Sequence, residues 1–328
     1  MLEEVRYGGN KMKFQHEPVL LAEVIKSMNL QSDGTYVDCT LGGAGHSLAI
    51  LQAQSRIKLV GIDQDPSALL AAKKRLLPYL DRVTFIHDNF KNLSSVLTEL
   101  NIPRVDGILM DIGVSSHQFD QAERGFSYQH NAPLDMRMNP QNPVTAKTLV
   151  NTLTEHELTQ IIFDYGEERW AKRISQFIVE KRSLEPIEST EQLVDAIKAA
   201  IPASARREGP HPARRTFQAL RIAVNRELEV FEEAIYHAVD ALSSGGRLCV
   251  ITFHSLEDRI AKETFKKLST GCTCPANFPI CVCNQKPKIR LVTRKPIIAS
   301  KEELGRNSRA RSAKLRVCER LDGRELSQ

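Results

Sequence analysis

The run Tyr36-Val37-Asp38-Cys39 leads into Thr40-Leu41-Gly42-Gly43-Ala44-Gly45-His46 and then into helix-forming residues. A glycine-rich turn between a strand and a helix lets a ligand lie against bare backbone at the helix N-terminus, where unpaired N–H groups meet it. Eighteen positions past Gly45, the apolar run Val60-Gly61-Ile62 ends in Asp63. A carboxylate there can accept hydrogen bonds from both hydroxyls of an adenosine ribose. A nicotinamide dinucleotide and S-adenosylmethionine both fit this much. Three details favour S-adenosylmethionine. Leu48 occupies the third position of G-x-G-x-x-G, where a dinucleotide site wants a small residue. His87-Asp88-Asn89-Phe90 puts polar groups and an aromatic ring beside an adenine, and Asp111 ends a further strand where a transferable methyl would sit. Plainer roles also fit: Asp63 as a helix N-cap (Asp65 suits that better) and Phe90 as core packing.

These residues need strands and helices to position them. Strands are expected at Thr35–Cys39, Lys58–Asp63, Val83–His87 and Gly107–Asp111, with helices at His46–Ala53, Pro66–Leu77 and Leu93–Leu100 between them. Such alternation implies right-handed βαβ units and a parallel sheet. After Asp111 the rhythm breaks into a loop rich in proline and polar residues, then helical runs near Ala146–Asn151, Glu155–Phe163, Glu167–Lys181 and Thr190–Ile201. Arg214 to Leu242 reads as one long helix, because Phe217, Leu220, Val224, Leu228, Phe231, Ile235, Val239 and Leu242 step by three or four. Gly245-Gly246 ends it and Arg247–Phe253 resumes the sheet. The expectation is therefore an α/β, Rossmann-like fold with a mostly parallel sheet and an inserted all-helical domain. Its parts are a leader at 1–15, the first sheet segment at 16–114, the insertion at 115–213 and the second sheet segment at 214–328. Met12 is a second candidate start.

The 328 residues are 41% hydrophobic and 26% charged, which excludes collagen-like, low-complexity and wholly disordered chains. No apolar run approaches the ~18 to 20 residues of a membrane span, and the N-terminus has no secretory h-region. A soluble, cytoplasmic protein is expected. Of the net charge of +5, the stretch from Asn284 onward carries 13 Lys/Arg against 5 Asp/Glu. Arg306, Arg309, Arg311, Lys314 and Arg316 in that stretch fit either a solvated surface strand or a phosphate-binding face. Four of the seven cysteines fall at Cys272, Cys274, Cys281 and Cys283. That is either a tetrahedral thiolate zinc site of unusual spacing or a loop of free thiols. Cys39 and Cys249 read as core residues.

Several longer stretches stand in order along the chain: His16-Glu17-Pro18-Val19-Leu20-Leu21, Asp38–His46, Asp106–Ser116, Glu123-Arg124-Gly125-Phe126-Ser127, Pro133–Met138, Tyr165-Gly166-Glu167-Glu168, His211–Ala219 and Phe253–Arg259. Together they closely resemble the RsmH (MraW) family, bacterial methyltransferases acting on cytosine N4 in small-subunit ribosomal RNA. The resemblance runs from about His16 to Arg320. It implies a class I methyltransferase fold with a helical insertion, and cofactor contacts from Ala44, Gly45, His46, Asp63, Phe90, Asp111 and Gln118. It also implies 16S ribosomal RNA, or the small ribosomal subunit, as partner. Homodimerisation is a further expectation, and no membrane partner is expected. Two departures stand out. His117 occupies a position where the family usually has Pro, and the Cys272–Cys283 loop lies where family members differ.

A cytosine amine is a poor nucleophile, since its lone pair is delocalised into the ring, so an acceptor for one N–H would help localise it. Asp111 is the first candidate and His254 the second, the latter also fitting a structural histidine in a strand-to-helix turn. Many amino-methyltransferases follow the fourth-strand Asp/Asn with Pro-Pro-aromatic. Here the run is Asp111-Ile112-Gly113-Val114. RNA would cross the insertion, where Arg124, Arg137, Arg206, Arg207, Arg214 and Arg215 supply charge and Phe126 and Tyr128 offer rings for stacking. Phe126 fits a hydrophobic anchor equally well. Competing readings are a nicotinamide oxidoreductase and a non-catalytic RNA-binding or assembly factor.

Overall fold

The computed structural model describes residues 18–114, 118–119, 121–207, 209–271, 274, 283 and 285–322. The leader, His117, Cys272 and Cys281 lie outside the described residues. Five strands run parallel: β1 (Thr35–Asp38), β2 (Lys58–Asp63), β3 (Val83–His87), β4 (Val105–Asp111) and β5 (Leu242–Thr252). β6 (Ile289–Leu291) and β7 (Ile297–Ile298) both pair with β8 (Lys314–Arg320), which lies antiparallel to β5. The order is β3-β2-β1-β4-β5-β8-β6. The chain winds outward from β1 in one direction and restarts at β4 in the other, which opens a crevice at the C-terminal ends of β1 and β4.

The central strands read as continuous apolar runs because both faces are covered. On one face, α4 (Leu93–Glu99), α10 (Glu227–Ala241) and α11 (Ser255–Ser269) bury Leu97, Phe231, Ile235 and Phe265 against Ile108, Leu248 and Val250. On the other, α1 (Leu21–Met28), α2 (Gly45–Ala53) and α3 (Pro66–Arg75) bury Met28, Ile50, Leu51 and Leu69 against Tyr36, Leu59, Leu109 and Ile251. Cys39 and Cys249 are buried in these two clusters.

The insertion forms its own core from α5 (Ala146–Thr152), α6 (Glu155–Gly166), α7 (Ala171–Leu184) and α8 (Thr190–Ala200). Thr145, Thr154 and Ser189 start α5, α6 and α8 with capping boxes, each satisfying otherwise orphaned N–H groups. The helix expected over Arg214–Leu242 is two helices, α9 (Arg214–Asn225) and α10, joined at Arg226 in the left-handed region (φ 51°, ψ 38°). α9 places Phe217, Leu220 and Val224 in the inserted core, whereas α10 turns Phe231, Ile235 and Val239 into the sheet core. By this packing the inserted block runs one helix beyond the expected boundary at 213. The helix expected from Glu167 starts instead at Ala171. α6 ends at Gly166, where a Cβ would stand 2.8 Å from the Arg215 carbonyl oxygen, so α6 and α9 meet with no room for a side chain.

The basic C-terminal stretch divides: Arg306, Arg309 and Arg311 are exposed ahead of the last strand, whereas Lys314 and Arg316 are neither on a surface strand nor on an open phosphate face. Its strand β8 lies inside the sheet, and Arg316, 7% exposed, donates to Asp258 Oδ1 at 2.7 Å while Lys314 Nζ donates to Asp258 Oδ2 at 3.0 Å. Burial pushes the Asp258 carboxyl up, but the bonds from Arg316 and Lys314 outweigh it and hold the group below its ordinary range. Removing one partner of a buried pair strands the other charge. Arg316→Ala should therefore cost roughly 3 kcal/mol in urea unfolding, whereas exposed Arg311→Ala should stay within about 0.5 kcal/mol; equal effects would show that the Arg316–Asp258 pair is not structural.

Candidate active site

The crevice is built from the ends of β1, β2 and β4. Asp38, buried at the end of β1, accepts from Ser47 Oγ at 2.6 Å and from the Thr40 N–H at 3.1 Å, and so ties the glycine turn to the start of α2. Within the turn Gly42 and Ala44 take left-handed φ values of 47° and 55°. A Cβ on Gly45 would stand 2.3 Å from Pro18 Cγ, so the chain entering α1 closes over the turn only because Gly45 has no side chain.

At the end of β2, Asp63 Oδ2 accepts the Gly42 N–H at 2.7 Å and Oδ1 accepts the Asp65 N–H at 2.9 Å. Burial raises its pKa to about 6, against those two bonds. The capping role belongs to Asp65. Its Oδ1 accepts from Ser67 N and Oγ at the start of α3, and its Oδ2 accepts from Gln118 Nε2 at 2.9 Å and Arg124 Nη1 at 2.8 Å. After β3, Phe90 opens a short 3-10 turn and packs half-buried against the sheet core. The preceding Asn89 donates to Gln64 Oε1 at 2.9 Å, across the ends of β2 and β3.

Asp111, at the end of β4, is 25% exposed and has one buried oxygen, Oδ1, with no hydrogen-bond partner. Its other oxygen stands 3.6 Å from His46 Nδ1, while His46 Nε2 lies 2.9 Å from the Val19 carbonyl. A carbonyl only accepts, so Nε2 carries a proton and Nδ1 is the nitrogen turned to Asp111. Burial pushes the Asp111 carboxyl up to about 6; His46 opposes this, and the charges of Asp38 and Glu257 add to it.

His254 caps α11, one strand over. Its Nδ1 accepts the Glu257 N–H at 3.4 Å and its Nε2 lies 2.9 Å from Glu257 Oε1. Fully buried Glu257 turns its other oxygen to the Phe253 N–H at 2.7 Å. Both ring nitrogens thus face Glu257, but the Nε2 contact lacks hydrogen-bond geometry, so His254 Nε2 and Glu257 Oε1 are, like Asp111 Oδ1, buried without a hydrogen-bond partner.

Ala44, Gly45, His46, Asp63 and Asp111 therefore share one crevice, Gln118 joins it through Asp65, and Phe90 follows beside it. Sequence reasoning missed Asp65 as a hub and Glu257 as the partner of His254. The signals were present in Asp65-Pro66-Ser67, an N-cap followed by an N1 proline, and in His254-Ser255-Leu256-Glu257, with a carboxylate at the N3 position of a capping box. On the insertion, Arg124 is taken up by Asp65 and by the carbonyls of Arg137 and Met138. Arg137 is taken up by Asp135 and by the carbonyls of Pro140 and Asn142. Arg215 donates to the Glu167 carbonyl at 2.7 Å. Phe126 is buried in the inserted core and Tyr128 stacks on His211 at 4.5 Å. Arg206, Arg207 and Arg214 stand exposed.

Residues 13–321 match the model of the MraW methylase family. The chain belongs to this family. It is 55% identical to the ribosomal RNA small subunit methyltransferase H of Heliobacterium modesticaldum, over 94% of this chain and 100% of that one. To the protein of the same name from Clostridioides difficile it is 54% identical, with the same coverage. A solved structure from Clostridium thermocellum, titled a putative rRNA-methylase, aligns with a TM-score of 0.44 at 14% identity, covering 93% of this chain and 100% of that chain. As a member of the MraW methylase family the chain is a methyltransferase, and its methyl donor is S-adenosylmethionine. The crevice fits that donor: a bare-backbone turn faces carboxyls that burial has pushed up and that a sulfonium cation would relieve.

In the free protein, Asp63 and Asp111 titrate near pH 6 rather than at their ordinary 3.8. The folded chain therefore holds more protons than the unfolded chain between those values, and the stability these groups contribute below that window is lost as pH rises through 6. A cationic ligand selects their ionised forms. Affinity for S-adenosylmethionine should tighten about tenfold from pH 5 to 7.5, following one carboxyl ionising near 6, and affinity for the uncharged thioether product should change less. Calorimetric titration of both ligands across this range checks it; parallel pH profiles would remove the cation's role.

Proposed function

We propose that this methyltransferase moves the methyl group of S-adenosylmethionine to the exocyclic N4 amine of one cytosine in 16S ribosomal RNA, in the decoding region of the small subunit, in the cytoplasm. The substrate is supported by the relatives' name, ribosomal RNA small subunit methyltransferase H, at 54–56% identity over 94% of the chain. The chemistry is supported by one observation above all: the buried Asp111 oxygen that has no partner at the crevice.

In this reading the backbone of Ala44, Gly45 and His46 lines the amino-acid end of the cofactor. Asp63 exchanges its bond from the Gly42 N–H for the ribose hydroxyls, Phe90 lies against the adenine, and Gln118 closes the ribose side through Asp65. The bound cofactor supplies a methyl group on a positively charged sulfur. The chain's own work is to bring an amine into line with that methyl group; orientation of this kind is worth on the order of 7–11 kcal/mol. Asp111 Oδ1 accepts one amine N–H, which holds the nitrogen lone pair out of conjugation. As the N–C bond forms and the C–S bond breaks, the extra proton leaves the nitrogen towards the same carboxylate. His254, with both nitrogens turned to Glu257, shapes the turn after β5 and takes no proton. Arg206, Arg207 and Arg214, three of the exposed arginines of the insertion, meet phosphates.

The test is methyl transfer from labelled S-adenosylmethionine to small subunits from a strain lacking the enzyme, followed by nucleoside mass spectrometry. N4-methylcytidine at one site is expected. Asp111→Asn should lower kcat about 10²–10⁴-fold, and RNA affinity should fall steeply with salt. Label in a different nucleoside, or no label in the RNA, would defeat the reading.

A further inference from the structure

The two rings that the sequence offers for stacking are both engaged within the insertion: Phe126 is 5% exposed in its core, and Tyr128 is stacked on His211 and packed edge-on to Phe217. A ring the sequence does not single out follows Gln118, whose side chain reaches Asp65 beside the crevice. Phe119 is 42% exposed, and its ring lies 6.4 Å from that of Phe126 at 47°. Isolated surface phenylalanines are ordinary; this one is distinguished by how it is held. Its neighbour Gln118 is buried and bonded to Asp65, the carboxylate next to the Asp63 turn. The ring behind it, Phe126, carries the Arg124 guanidinium 5.8 Å above its face, and that same guanidinium is bonded to Asp65. The chain thus fixes one free aromatic face at the border between the crevice and the insertion.

We propose that Phe119 is the stacking platform for an unpaired nucleobase of the substrate RNA, the one flanking the base that accepts the methyl group. This rests on the function proposed above. β2 and β4 flank β1, so their ends lie about 10 Å apart. A ring one residue from Gln118, which is held at Asp65 just past the β2 end, is set apart from a base whose amine meets Asp111 and suits that base's neighbour. Every base offers a π face, so a ring here grips the strand whatever the flanking base is and leaves the crevice to choose the target.

Three variants of the full chain test this on small subunits lacking the modification: Phe119→Ala, Phe119→Leu and Phe119→Trp. Phe119→Ala and Phe119→Leu should each raise the KM for RNA about tenfold, with the dissociation constant for S-adenosylhomocysteine unchanged, which also shows that the variants are folded. Phe119→Trp should restore the wild-type KM, and its emission should be quenched by RNA beyond the change seen from the chain's single native tryptophan, Trp170. A KM for Phe119→Ala within twofold of wild type, full function in Phe119→Leu, or a parallel loss of S-adenosylhomocysteine affinity would overturn the proposal. Wild-type enzyme that leaves these subunits unmethylated would overturn the proposed function itself, and this inference with it.

Discussion

One buried carboxylate ties the two halves of this molecule together. Asp65 caps α3 with one oxygen and receives Gln118 and Arg124 with the other. It is held below its ordinary pKa because four hydrogen bonds from Ser67, Gln118 and Arg124 outweigh the burial that pushes it up. The first of these contacts belongs to the sheet that binds the cofactor and the last to the loop leading into the inserted helices. Arg124 passes the connection on to the carbonyls of Arg137 and Met138, and Asn225 at the end of α9 accepts the Met138 N–H at 2.8 Å. The insertion has its own apolar core, so its placement over the crevice rests on such directional polar bonds.

The crevice itself is short of positive charge. Asp38, Asp63, Asp111 and Glu257 converge at the C-terminal ends of four strands, and burial raises the first three. Such a cluster of acids is electrostatically unfavourable in itself, and a sulfonium cation would correct the imbalance. In the proposed reading these acids discriminate between the charged and spent forms of the cofactor, because transfer of the methyl removes the charge that they attract.

Much of this was legible from residue order. Strands covered on both faces must be apolar throughout, so β1, β2, β4 and β5 announce themselves, and the acids that end β1, β2 and β4 mark the crevice. What stayed hidden has a common cause. Phe217 to Leu242 keeps a spacing of three or four across Arg226, yet one left-handed residue sends the two halves into different cores; periodicity reports which side is apolar and not what it packs against. The charges of β8 suggested a surface because partners such as Asp258, 58 residues away from Arg316, cannot be seen in sequence. For the same reason Arg124 and Arg137 looked available to RNA when their own loop consumes them, and Phe119 was passed over for rings that turned out to be buried.

The position of β8 also has a bearing on synthesis. Among the described strands, the antiparallel one that completes the sheet, pairing Arg247–Thr252 with Lys314–Glu319, is made last. Until those residues leave the ribosome, β5 presents an apolar row of unpaired backbone groups, the kind of edge on which nascent chains stick to one another. The parallel strands can associate as they emerge, but the sheet closes only once β8 has been made. An enzyme whose family relatives are named for modifying the ribosome thus holds β5 open until a segment far downstream of it has left the ribosome.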